Sequence, residues 1–209
     1  MKTVSILLLF IIISLDLKAQ NVEYSLEANP IYHSIITLHR NIDRNKAYEY
    51  SNIIARYSRA YKIDPFLVVS IARQESFLTL DSVRKEGPSK IIFNEEERKF
   101  YKVREATDFC MMQINKFNVI NRGLDLDKLL NDPEYCIRQG FEILADFRHL
   151  ESSDRYWWTR YNASNPVARE IYRNYVTSHY NVLLKSIPNL KSVKKSYTGS
   201  EKLHAGLFK

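Results

Sequence analysis

At Asp64-Pro65, Asp132-Pro133 and Asn165-Pro166 an Asx residue stands directly before proline, and each of these pairs opens a stretch of helical apolar spacing. An Asx side chain accepts hydrogen bonds from the free N–H groups of a first helical turn. Proline at the first helical position lacks only an N–H that would have no partner there. The three pairs therefore predict helices over about 66–79, 134–149 and 167–185. The second carries Cys136, Ile137, Gly140, Phe141, Leu144 and Phe147 along one face, the mark of a helix laid against a core. Ahead of them, Tyr50, Ile53, Ile54, Tyr57 and Tyr61 predict an amphipathic helix over 45–61. The mixed stretch 20–44 reads as a lead-in, with a short helix around Ile35 to Leu38.

Residues 80–107 break this pattern. Ile91-Ile92-Phe93 and Phe100-Tyr101-Lys102-Val103 flank the polar run Asn94 to Arg98, which fits a β-hairpin. Because Glu, Arg and Lys favour helices, a helix through Glu95 to Val103 competes with it. The fold class expected is α+β and mostly helical, with a small hairpin or irregular lobe inserted after the helix that begins at Pro65.

The N-terminus reads as a secretory leader. Lys2 precedes an apolar run from Val4 to Leu15 and a polar stretch ending at Ala19, and the run is shorter than the roughly 20 residues a spanning helix needs. Cleavage near Ala19 would place the protein in the periplasm or outside the cell and leave 190 residues, enough for one domain over 45–185. The formal charge of +7 is concentrated beyond that domain: from Lys185 onward six lysines face Glu201 alone. Residues 186–209 are read as a basic solvated tail, with attraction to an anionic envelope surface as the alternative. The body is nearly neutral, so no nucleic-acid partner is expected. In an oxidising compartment Cys110 and Cys136 could pair or stay free. The five histidines show no metal-ligand spacing, and neither a metal nor another cofactor is expected.

Glu75 is the residue that carries chemistry. It falls four after Ile71 and three after Ala72 on the apolar stripe of its helix, so its carboxyl points inward. Desolvation disfavours the anion there and raises the pKa toward the range of a general acid. A glutamate at the edge of the stripe, paired with Arg73 or a distant lysine, would look the same in sequence. Trp157 and Trp158 are read as core residues rather than as sugar platforms.

The wording around Glu75 sharpens this. Asp64-Pro65 with Ile71-Ala72-Arg73-Gln74-Glu75-Ser76-Phe77 resembles the opening block of the bacterial lytic transglycosylases with a goose-lysozyme-like fold. Met112-Gln113-Ile114-Asn115, Tyr161-Asn162-Ala163-Ser164, and Tyr172 with Val176 and Tyr180 resemble that family's later blocks, in the same order. The resemblance implies a lysozyme-like fold and a peptidoglycan substrate, with Glu75 as catalytic acid and base. Ser76, Gln113, Tyr161, Asn162 and Tyr172 would line the saccharide cleft, with Tyr161 and Tyr172 orienting Glu75. No cofactor is implied, and a monomer is expected, with association to the envelope or a secretion apparatus left open.

Departures from the family pattern carry expectations of their own. Cys110 stands at a glycine position and Cys136 at an asparagine position, in segments that should lie near each other, which favours a disulfide. Ser164 replaces a glycine, so the turn there should differ. The stretch between Glu75 and Gln113 is longer than in ordinary members, and a lobe over one side of the cleft is expected from it. Thr107-Asp108 with Gln113-Ile114-Asn115 also resembles the animal lysozymes, where such an aspartate is a second catalytic carboxylate. That leaves two enzymes open: a transglycosylase using Glu75 alone, or a hydrolytic muramidase using Glu75 with Asp108. A non-catalytic peptidoglycan-binding module is the distant third.

Overall fold

The computed structural model describes residues 29–85, 87, 89–94, 98–151, 153–162 and 164–198. The leader with its cleavage site, the lead-in up to 28, Glu95 to Glu97, Ala163 and the tail from 199 lie outside the described residues. The described residues form eight α-helices, one 3-10 helix and two small antiparallel sheets. Among the described residues, no helix is long and apolar enough to cross a membrane.

At the centre is α3, Pro65–Ser76, following α1 (Pro30–Leu38) and α2 (Arg44–Tyr61). The sequence predicts one apolar stripe for α3, but the helix is enclosed on nearly every side. Phe66, Leu67, Val68, Val69, Ile71 and Ala72 are all fully buried, as befits a helix hydrophobic all round. It stops at Ser76, three residues before the predicted end, because Phe77 and Leu78 both turn left-handed and the Leu78 N–H reaches back to the Ala72 carbonyl at 3.2 Å.

After α3 come β1 (Val83–Arg84) and the pair β2 (Ser89–Asn94) and β3 (Lys99–Arg104), the antiparallel hairpin the sequence suggests. The helix through Glu95 to Val103 is thereby set aside. Strands β4 (Asp108–Phe109) and β5 (Ile114–Asn115) complete a second sheet in the order β1-β4-β5, with Arg84 opposite Asp108. Two short helices follow, α4 (Lys116–Asn121) and α5 (Leu126–Asn131), capped by Asn115 and Asp125. Six residues hold too few turns to show a period, and neither was legible in advance.

The long helices α6 (Pro133–Leu150) and α7 (Pro166–Ser186), either side of the 3-10 helix Trp157–Tyr161, begin at the expected Asx-Pro pairs. A fourth such pair stands at Asn29-Pro30. Asn29 accepts from the N–H groups of Ile31 and Tyr32 and starts α1 at Pro30, whose Ile31 and Ile35 are fully buried. Part of the presumed lead-in is therefore core.

The tail reading also needs correction. Residues 190–198 form α8 (Leu190–Thr198), with Leu190 buried and Val193 and Tyr197 packed on the core. Those three share a face at spacings of three and four, and Lys194 reaches inward from beside it. Its Nζ lies 3.0 Å from Oδ2 of Asp64, which is fully buried, accepts the Tyr180 hydroxyl at 2.7 Å and caps α3 at the Phe66 N–H. The last helix is thus fastened to the first turn of α3. Removing one partner of a buried ion pair leaves the other charge uncompensated, so Lys194→Met is expected to cost about 3 kcal/mol of unfolding free energy. Urea denaturation of the two chains measures it.

Candidate active site

Glu75 lies in the last turn of α3, its side chain 3% exposed. Tyr172, on the buried face of α7, donates its hydroxyl to Oε1 at 2.6 Å. Trp158 packs tilted behind the Tyr172 ring with centroids 6.1 Å apart, so the tryptophan sits in the core as expected. From β1, the Arg84 guanidinium lies 3.5 Å from Oε2 and donates to the Glu75 carbonyl at 3.3 Å. Burial pushes the Glu75 carboxyl up to about 7; the Tyr172 hydrogen bond and Arg84 hold it down, and the charge of Asp108 adds to the rise. A carboxyl balanced there can give a proton and take one back near neutral pH. Burial and the neighbouring Glu75 raise the Tyr172 phenol well above its ordinary value, which keeps it a donor.

Asp108 stands on β4, with its side chain 18% exposed. It accepts the Thr107 hydroxyl at 2.8 Å and lies 3.9 Å from Arg84. Arg84 therefore sits between the two carboxylates. It was missed in the sequence, where a lone arginine in a two-residue strand shows no period. Only the register that sets it across from Asp108 reveals it.

Other expected site residues turn toward the backbone of 110–113. The Ser76 hydroxyl donates to the Met111 carbonyl at 2.8 Å, and the Tyr161 hydroxyl to that of Met112 at 2.8 Å. Gln113 donates its side-chain amide to the carbonyls of Ser82 at 3.1 Å and Cys110 at 2.8 Å. Three residues assigned to substrate by resemblance thus commit donors to the fold. Of the two tyrosines expected to orient Glu75, Tyr172 donates to its carboxyl, whereas the Tyr161 hydroxyl donates to the Met112 carbonyl. Asn162 is exposed just past the 3-10 helix. A cavity of about 560 Å³ beside Arg148 and Trp157 takes in none of these residues.

The 110–113 segment bends sharply, with φ of 61° at Cys110 and 47° at Gln113. Cys110 is bonded to Cys136 on α6, with Cα atoms 6.2 Å apart. One turn along α6, Gly140 leaves room for Met112, whose side chain would lie 2.7 Å from an added Cβ.

Two outcomes follow from these environments. Replacing both cysteines by alanine is expected to cost about 3 kcal/mol, the entropy of a loop of this length. Cys110→Gly with Cys136→Ala should lose about 1 kcal/mol less than that, since glycine carries no left-handed penalty; urea denaturation compares them. Glu75 adds a pH dependence. The unfolded carboxyl loses its proton near 4.5 and the folded one near 7, so in between the folded chain holds the extra proton. Stability is then full below the lower value and falls as pH rises through the higher one. Glu75→Gln should match the parent in acid and exceed it by up to about 3 kcal/mol above neutrality. Thermal unfolding at both pH values tests this.

No curated protein and no solved structure matches the chain. The family model described as the transglycosylase SLT domain matches residues 52–178, which runs from α2 through Tyr172 and takes in Glu75, Arg84 and Asp108. That span is more than half of the 209 residues: the chain belongs to the transglycosylase SLT family and has the peptidoglycan-directed, lytic type of activity that the family implies.

Proposed function

We propose that this protein cleaves peptidoglycan strands between N-acetylmuramic acid and N-acetylglucosamine as a lytic transglycosylase, with Glu75 as both acid and base. The observation that carries the reading is one buried carboxyl, raised to about 7, with Tyr172 donating to one oxygen and Arg84 near the other. Protonated Glu75 gives its proton to the glycosidic oxygen, and the bond from that oxygen to the muramyl C1 breaks. The resulting carboxylate then takes the proton of the muramyl 6-hydroxyl as O6 closes on C1. The proton count balances and no water is consumed. An attacking hydroxyl on the same sugar has a high effective molarity, which favours it over solvent.

Asp108 supports a second reading, because it reaches the same guanidinium as Glu75 from the neighbouring strand. As a nucleophile or electrostatic partner it would make the protein a hydrolytic muramidase. Its contacts with Thr107 and Arg84 favour a supporting role instead. We further propose that the leader is removed near Ala19 and that the protein acts in the periplasm or outside the cell, where a Cys110–Cys136 bond would persist.

Incubating the chain from Gln20 onward with peptidoglycan, followed by mass spectrometry of the fragments, is expected to show 1,6-anhydro-muramyl ends. Glu75→Gln should lower turnover about a thousandfold, within the range of a lost general acid. Asp108→Asn should keep the anhydro product. Reducing ends would transfer the assignment to the muramidase, and an absence of fragments would leave a peptidoglycan-binding module.

A further inference from the structure

Strand β1 follows α3 after a short turn, and its backbone is held where its arginine must face the two carboxyl groups. The Thr107 N–H donates to the Arg84 carbonyl at 2.9 Å, and the strand register sets Arg84 across from Asp108. From that anchor the guanidinium spans the Glu75 carbonyl at 3.3 Å, Glu75 Oε2 at 3.5 Å and Asp108 Oδ2 at 3.9 Å. Its side chain is 30% exposed, against 3% for Glu75. It thus stands at the rim of the enclosure, with the carboxyl behind it.

The groups that face Glu75 come from four elements. Tyr172 approaches from α7, Arg84 from β1, Asp108 from β4, and Tyr161 from the 3-10 helix at a distance where only charge is felt. The tyrosines are neutral and Asp108 is an anion, which leaves Arg84 as the cation of the set. Two carboxylates this close to one guanidinium could not both ionise cheaply without it. A flat guanidinium also fixes direction, since its fork holds an oxygen in its own plane where an ammonium would not.

We propose that Arg84 is a positioning residue for the proton transfers at Glu75, held by β1 where it steadies the carboxylate that forms when the proton leaves. This rests on the reading of Glu75 as acid and base. Tyr172 holds Oε1 and Arg84 holds Oε2, so the carboxyl cannot turn about its last bond between the giving and the taking of the proton. The guanidinium also neutralises Asp108, whose unshielded charge would otherwise oppose ionisation of Glu75 in mid-reaction.

The test uses the full folded chain with the Glu75 carboxyl followed by carbon-13 NMR across pH. In Arg84→Gln the midpoint of Glu75 should rise by about one pH unit, the lower end of what a neighbouring guanidinium does to a carboxylate. Arg84→Lys, with the charge but no fork, should bring it most of the way back. The alkaline limb of peptidoglycan cleavage should move with the midpoint in each variant. In the unaltered chain, the guanidinium nitrogen-15 signals of Arg84 should shift with the same midpoint as Glu75. An unmoved Glu75 midpoint in folded Arg84→Gln would overturn the proposal, and so would Arg84 signals that stay flat through the titration. The second measurement stands even if Arg84→Gln does not fold. Neither NMR readout involves peptidoglycan, so loss of the proposed activity and loss of this role for Arg84 are told apart.

Discussion

A helix enclosed on every side must come out of the core somewhere, and in this protein the last turn of α3 is that place. Phe66 to Ala72 see no solvent, and one turn later the chain places Glu75 with only 3% of its side chain exposed. A carboxyl in that position is neither free in water nor fully shut away. Desolvation raises its pKa while a phenol and a guanidinium lower it, and the compromise near neutrality comes from where the helix leaves the core. The left-handed residues Phe77 and Leu78 matter for the same reason. Had α3 run on to 79, β1 could not have turned back at once to bring Arg84 beside the carboxyl.

The segment 110–113 is the second fixed point, and its role explains why several residues of the family motifs are polar yet buried. Backbone carbonyls in a tight left-handed bend have no ladder partners, and buried carbonyls without partners are costly. Ser76 and Tyr161 supply the missing donors to Met111 and Met112, and the Gln113 side chain adds a second donor to the Cys110 carbonyl, which already accepts the Gln113 N–H. Helix α6 holds the same bend from its other side through Cys136 and Gly140. Motifs far apart in the chain are therefore linked by backbone geometry. This account of their residue types needs no contact with a substrate.

How much of this was legible in the sequence depended on whether a signal was local. The Asx-Pro pairs are local, and three of them placed α3, α6 and α7 within a few residues; the pair at Asn29 was equally plain. The inward position of Glu75 followed from a period of three and four. Tyr172 could be paired with Glu75 only through the family resemblance, since 97 residues separate them. Arg84 was beyond reach by either route. Its role depends on the register of two-residue strands, and nothing in the amino acids Val83-Arg84 and Asp108-Phe109 records that register. The lysines of α8 misled for a related reason: composition describes a charged tail and a docked amphipathic helix in the same terms, and only the face shared by Leu190, Val193 and Tyr197 tells them apart.

The two ends of α3 show how position decides what a buried carboxyl can do. Both Asp64 and Glu75 are buried, and each meets a cation and a tyrosine hydroxyl, Lys194 and Tyr180 for the first, Arg84 and Tyr172 for the second. The helix separates them electrically. At the N-terminus the peptide dipoles favour a negative charge, and the Phe66 N–H adds a hydrogen bond to Asp64. At the C-terminus the same dipoles oppose a negative charge, and Glu75 has its closest cation at 3.5 Å rather than 3.0 Å. One carboxylate is thereby committed to holding α3 against α7 and α8. The other is left near balance between its charged and neutral forms, the condition a proton carrier needs, because burial raises it while the Tyr172 hydroxyl and Arg84 hold it down.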